Sequence, residues 1–103
     1  MRVMLKVNMP VARANALVRE GKLGSTIQAI VQSLKPEAAY FTDSNGQRTG
    51  FLFLDLKDSS EIPRIAEPWF LALDAAVEIH PVMAPADLAK AAPFMDEAAK
   101  KYG

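Results

Sequence analysis

The chain has 103 residues, half of them hydrophobic, and its 12 basic side chains balance 12 acidic ones, so the formal net charge at pH 7 is zero. These values are typical of one globular domain and exclude a disordered chain of high net charge. The absence of cysteine excludes disulfides, thiol nucleophiles and thiolate zinc sites, and a single histidine excludes a metal site built on a histidine pair.

The distribution of charge and apolar residues excludes two classes of partner. Lysine and arginine occur singly except at Lys100-Lys101, which argues against binding to nucleic acid. No apolar run approaches the roughly 20 residues of a membrane span, and Arg2, Lys6 and Asn8 interrupt the N-terminal segment where a secretory signal would need apolar residues. We therefore expect a soluble cytoplasmic protein that carries no metal and no cofactor.

The first third of the chain predicts a strand followed by helical turns. Apolar β-branched and leucine side chains occupy every second position over residues 3–7, which predicts a strand that ends before Pro10. Apolar residues then recur at helical spacing over residues 11–21 and again over residues 27–34. The glycines between these two segments predict one broken helix or two short ones.

A hairpin is predicted in the middle of the chain. Asn45-Gly46 lies between two strand-like segments, residues 37–43 and 48–56, and both residues of this dipeptide tolerate the positive φ that a tight turn needs. A two-residue turn fixes the register. The predicted pairs are Asp43 with Arg48, Thr42 with Thr49, Tyr40 with Phe51 and Ala38 with Phe53.

The last part of the chain predicts a helix, a strand and a second helix. Asp58 and Glu61 have the spacing of a capping box, and a helical apolar stripe that includes Trp69 follows. Pro68 is expected to bend that helix. Alternation over residues 75–83 predicts a strand, and Pro85 opens a C-terminal helix.

The predicted order βαββαβ with a terminal helix indicates an α+β protein, a single ferredoxin-like domain over residues 1–103. Short connections and right-handed crossovers favour a four-stranded antiparallel sheet of order 4-1-3-2 with helices on one face. The residues expected to face the helices are Val3, Leu5, Val7, Phe41, Leu52, Leu54, Val77 and Ile79. The opposite face, called the open face here, is expected to carry Met4, Lys6, Asn8, Ala38, Tyr40, Thr42, Phe51, Phe53, Asp55, Glu78 and His80.

Three segments carry a resemblance to a known superfamily. Residues 36–41 (PEAAYF), 67–71 (EPWFL) and 78–83 (EIHPVM) resemble the dimeric α/β-barrel superfamily, and in particular a group of small bacterial proteins of that fold with no assigned activity. The resemblance implies a homodimer in which two open faces pack together around a cavity. It implies no single chemistry, because the superfamily includes cofactor-free monooxygenases, isomerases, haem enzymes and regulatory ligand-binding modules.

The open face supplies the candidate site residues. His80 with Glu78 is the candidate catalytic pair, in which the carboxylate would orient a histidine that acts as general base. The alternative is that Glu78 pairs with Lys6 across the strands and His80 is an interface residue. Tyr40, Phe51 and Phe53, with Lys6 and Asp55, are the candidate binding residues for a small apolar or aromatic ligand. The alternative for the three aromatic residues is the core of the dimer.

Three classes of function remain open after these observations: a cofactor-free enzyme of isomerase or monooxygenase type, a ligand-binding module, and a structural dimerisation module. Residues 50–54 superficially resemble an RNA-recognition strand, but Leu52 and Leu56 depart from its pattern. Haem ligation by His80 has no other supporting feature. Asp55 or Asp58 with Glu78 lacks the spaced pattern of a metal site.

Overall fold

A four-stranded antiparallel sheet forms the centre of the computed structural model, which describes residues 1–103. The strands are β1 (Arg2–Asn8), β2 (Ala38–Ser44), β3 (Gln47–Asp55) and β4 (Ala76–Pro81). Their order across the sheet is β2-β3-β1-β4, which is the predicted order taken from the other edge. The α+β class and the ferredoxin-like type of sheet are confirmed.

Four α-helices complete the domain: α1 (Val11–Arg19), α2 (Leu23–Leu34), α3 (Ile62–Leu73) and α4 (Pro85–Tyr102). The first helical region is two helices because Gly21 adopts a φ of +70°. The Gly21 N–H donates to the Val18 carbonyl, and the Lys22 N–H donates to the Leu17 carbonyl, which is the bonding of a Schellman motif. The element order is therefore βααββαβα.

The core lies on one side of the sheet, between the two central strands and the helices. Its fully buried members include Leu5 of β1, Leu52 of β3 and Trp69 of α3, as the alternation and the helical stripe predict. The Trp69 Nε1–H has no hydrogen-bond partner in this core. Packing of large apolar side chains, rather than polar bonding, therefore holds Trp69 in place.

Phe41 lies on the helix side of the sheet, as predicted, but it is not buried. Its side chain is 48% exposed, although it lies on the helix side beside Gly50. β2 is an edge strand, and an open cleft separates Phe41 from Ile27 and Val31 of α2. Val77 and Ile79 of β4, at the other edge, are likewise only half-buried.

The terminal helix projects from the domain. None of its 18 residues is buried, and the chain measures 58 × 28 × 21 Å with a radius of gyration of 17.1 Å. A compact domain of this length has a radius of gyration of about 13 Å.

Pro68 and Pro93 lie within α3 and α4 respectively. No helix combines the length and the apolar character that crossing a bilayer requires.

The hairpin has the predicted register, and every one of the four predicted pairs is present. Asn45 and Gly46 have φ values of 55° and 74°, as a type I′ turn requires. A side chain added at Gly46 would meet no atom within 4 Å. Glycine is therefore favoured at this position because of its positive φ, and not because a side chain would lack space.

Gly46→Val is expected to lower the free energy of unfolding by more than about 1 kcal/mol, since a β-branched residue resists positive φ. The measurement is urea denaturation followed by circular dichroism. Gly24→Ala is the matched control, because Gly24 lies in α2 with open space around it and should be neutral or stabilising. An unchanged denaturation midpoint for Gly46→Val would contradict the turn assignment.

The predicted capping box is also present, at the 3-10 turn Ser59–Glu61 that precedes α3. The Ser60 backbone N–H donates to the Asp58 carboxylate at 2.8 Å, and this bond lowers the pKa of Asp58 below its usual value of 3.8. The Lys57 backbone N–H donates to Glu61 at 3.0 Å and lowers the pKa of Glu61 below its usual value of 4.5. Both carboxylates are therefore favoured in their charged form by folding.

Asp58→Ala is expected to lower the thermal midpoint at neutral pH because the Ser60 backbone N–H at the start of the helix loses its acceptor. The lowered pKa means that the contribution of Asp58 is complete above pH 3.8 and is lost as the pH falls through the folded-state value. The difference between wild type and variant should therefore shrink as the pH falls below 3.8. Glu67→Ala, which removes an exposed carboxylate of α3, is the control. A difference that grows in acid would contradict the assignment.

Candidate functional site

The open face contains the predicted candidate residues in two adjacent rows across the sheet. Successive residues of a strand point to opposite sides, so Lys6 and Met4 of β1 both face away from the helices. In the first row the order across the strands is Glu78, Lys6, Phe51 and Tyr40. In the second row the order is His80, Met4, Phe53 and Ala38.

The Glu78 carboxylate contacts both basic side chains of these rows, His80 and Lys6. The His80 Nε2 lies 3.2 Å from the Glu78 Oε1, and the Lys6 Nζ lies 3.8 Å from the Glu78 Oε2. The two interactions that the sequence offered as alternatives therefore occur together. Glu78 both orients the histidine and pairs with the lysine, as the β1–β4 register requires by placing Lys6 directly opposite Glu78.

This arrangement suits proton transfer. When Nε2 of His80 carries the proton and donates it to Glu78, the other ring nitrogen, Nδ1, is left as a proton acceptor. A carboxylate held against the opposite nitrogen stabilises the imidazolium that forms when Nδ1 takes a proton. The side chains of His80 and Glu78 are 50% and 56% exposed, so in a single chain water reaches both of them.

An apolar surface adjoins the ionisable group on the same face. Phe51 and Phe53 are half-buried, and Tyr40 at the edge of the sheet is 66% exposed. Met4, also half-buried, lies between Phe53 and His80 in its row. The face is thus polar towards β4 and aromatic towards β2, a division that can receive a ligand with one polar and one planar or apolar end.

Asp55 does not join the ionisable group around Glu78. Its carboxylate accepts a hydrogen bond from the Met1 ammonium at 3.0 Å, at the end of the sheet. Beside it, the Arg2 Nε donates to the Glu37 Oε2 at 2.9 Å. These residues and Asp87 of α4 contribute to a cleft of about 780 Å³, the largest of the chain.

Sequence reasoning missed this cleft because its lining comes from four separate segments of the chain. The one available signal was the opposite charge of Arg2 and Glu37 at the ends of strands predicted to lie in one sheet. None of the chain's four clefts is lined by Glu78 or His80. The candidate catalytic pair therefore lies on an open surface of the single chain.

Metal chemistry has no ready ligand set in this structure. No group of three or more histidine, cysteine, aspartate or glutamate side chains is placed to hold a metal ion. The chemistry that the open face can offer from its own side chains is acid–base chemistry at His80, with charge supplied by Glu78 and Lys6.

Comparison with models of known protein families finds no match, and comparison with curated proteins finds none either. The geometry establishes an α+β domain whose four-stranded antiparallel sheet has order β2-β3-β1-β4, with one face covered by helices.

Proposed function

We propose that two copies of this chain pack their open faces together as a dimeric α/β barrel, and that the chamber between the sheets binds a small molecule. The observation that carries the proposal is the uncovered aromatic surface of Tyr40, Phe51 and Phe53 beside the charged group around Glu78. Contiguous apolar surface of this kind marks an interface or a binding site. A second sheet would cover the aromatic part and exclude water from the polar part.

Within that chamber the proposed activity is isomerisation by proton transfer without a cofactor. His80 Nδ1 takes a proton from a carbon next to a carbonyl group, and the imidazolium returns it to another carbon of the same molecule, so no atom or electron is gained or lost. Glu78 stabilises the imidazolium, and the Lys6 ammonium, 3.8 Å from Glu78, adds positive charge where an enolate oxygen develops. A monooxygenase reaction would require dioxygen as a second substrate.

The aromatic side chains define the class of ligand. Phe51 and Tyr40 continue the row that begins with Glu78 and Lys6, so a ligand whose carbonyl end meets Lys6 places its remainder against these rings. Planar apolar groups stack on such rings. The proposed substrate is a small ketone or lactone with an unsaturated or aromatic portion.

A non-catalytic dimer, binding a ligand or serving structure alone, is the second candidate. The observation that favours it is the pairing of Glu78 with Lys6, since a carboxylate already neutralised by an ammonium attracts the imidazolium less strongly. The two candidates differ in whether His80 exchanges protons with a bound molecule.

Wild type is expected to sediment as a dimer at micromolar concentration, and Phe51→Glu as a folded monomer, because the substitution removes an aromatic ring from the contact and adds a charge where the second sheet would exclude water. Leu71→Glu is the matched control. Leu71 is an exposed residue of α3 on the other side of the sheet, so the same substitution there should leave the dimer intact. A monomeric wild type, or a dimeric Phe51→Glu variant, would refute packing through the open face.

The proposed catalysis predicts that wild type exchanges carbon-bound protons of a panel of β,γ-unsaturated ketones and lactones with deuterated water, observed by NMR. His80→Ala should reduce the exchange rate at least tenfold, as expected for removal of a general base. Trp69→Ala separates this effect from loss of the fold, since it should destabilise the core by about 3 to 5 kcal/mol. A folded dimeric His80→Ala variant with undiminished exchange would contradict the catalytic role of His80. Absence of exchange by wild type would favour the non-catalytic dimer.

A further inference from the structure

The terminal helix α4 has an apolar stripe without any partner in its own chain. Leu88, Ala91, Met95 and Tyr102 recur at intervals of three, four and seven residues and so lie on one side of the helix. Only Ala91 is even half-buried, and Tyr102 is 87% exposed. The charged residues, among them Lys90 and Glu97, lie on the other side. A helix of this length, about 27 Å, ordinarily buries such a stripe.

A groove without an occupant lies elsewhere on the same chain, on the helix side of the edge strand β2. Ile27 and Val31, one turn apart on α2, form one wall, and the exposed ring of Phe41 forms the other. The groove has a volume of about 530 Å³. Each chain therefore presents one helix with an exposed apolar stripe and one apolar groove without an occupant.

The order of the strands favours a second copy as the source of the helix that fills the groove. β4 and β2 are opposite edges of the sheet, so α4, which follows β4, starts three strand spacings away from the groove of its own chain, about 14 Å. When two open faces pack about a two-fold axis parallel to the strands, β4 of one copy lies over β2 of the other. The start of α4 lies at the end of the sheet, where Asp87 shares a cleft with Arg2 and Asp55.

The exposed area supports an additional contact between copies. The chain exposes 6777 Å², about 1,100 Å² more than the roughly 5,700 Å² expected for a compact monomer of 11.2 kDa. A stable interface of ordinary size buries about 800 Å² on each partner. The excess is thus of the size that one subunit contributes to a stable dimer.

We infer that α4 is an exchanged arm, which packs its Leu88–Met95 stripe into the groove between α2 and β2 of a second copy of this chain. The inference rests on the homodimer proposed above and adds a second contact to it. Each copy gives one helix and receives one, as a closed two-fold assembly requires. The arms hold the two sheets together from outside, whereas the aromatic surface holds them from inside.

The absence of cysteine makes disulfide cross-linking a direct test. The double variant Val31→Cys with Met95→Cys, oxidised at micromolar concentration, should give a covalent dimer on a non-reducing gel. Val31→Cys with Glu97→Cys is the control, because Glu97 lies on the charged side of α4 and should cross-link at least tenfold less. A disulfide within one chain, seen as an unchanged monomer mass without free thiols, would overturn the exchange, because the helix would then fill the groove of its own copy.

A second measurement separates the arm from the sheet contact. Leu88→Asp should raise the dissociation constant of the dimer at least tenfold, whereas Lys90→Asp on the charged side should change it less than twofold. A dimeric wild type with neither the cross-link nor this Leu88 effect would overturn the arm and leave the sheet contact standing. A monomeric wild type would overturn both.

Discussion

The one-sided burial of β1 is the constraint on which the rest of this structure depends. Val3, Leu5 and Val7 are almost completely removed from water on the helix side of this central strand. Because side chains alternate along a strand, the residues between them must face the other side. The same packing that makes the core therefore places Lys6 and Met4 on a face that the chain has no further element to cover.

The neighbours of β1 give that open face its chemical character. Antiparallel pairing with β4 places Glu78 opposite Lys6, and pairing with β3 places Phe51 on the other side of the same lysine. Lys6 is the least exposed member of its charged group, since its stem is covered by the strands on both sides. A charged group and an aromatic group thus meet at one residue, and the helical core fixes the position of that residue.

The projection of α4 has the same origin as the open face. The helices α1, α2 and α3 pack on the two central strands of the sheet and form the core with them. The helix that follows the last strand contributes no buried residue to that core, and it leaves an elongated molecule of 58 Å. Apolar surface is therefore exposed both on the sheet and on α4.

Sequence alone determined the features that depend on neighbouring residues. The spacing of apolar residues predicted the strands and helices. Asn45-Gly46 predicted the hairpin register, and Asp58 with Glu61 predicted the start of a helix. Each of these features depends on dihedral preferences or on hydrogen bonds within a few residues. Alternation also placed Glu78 and His80 on one face. Only the tertiary structure decided that Phe41 is exposed at an edge and that Asp55 binds the Met1 ammonium. It also decided that α4 buries none of its residues in its own chain. Those outcomes depend on how far the helices extend over the sheet and on which distant segments meet at its end, and no local spacing encodes either.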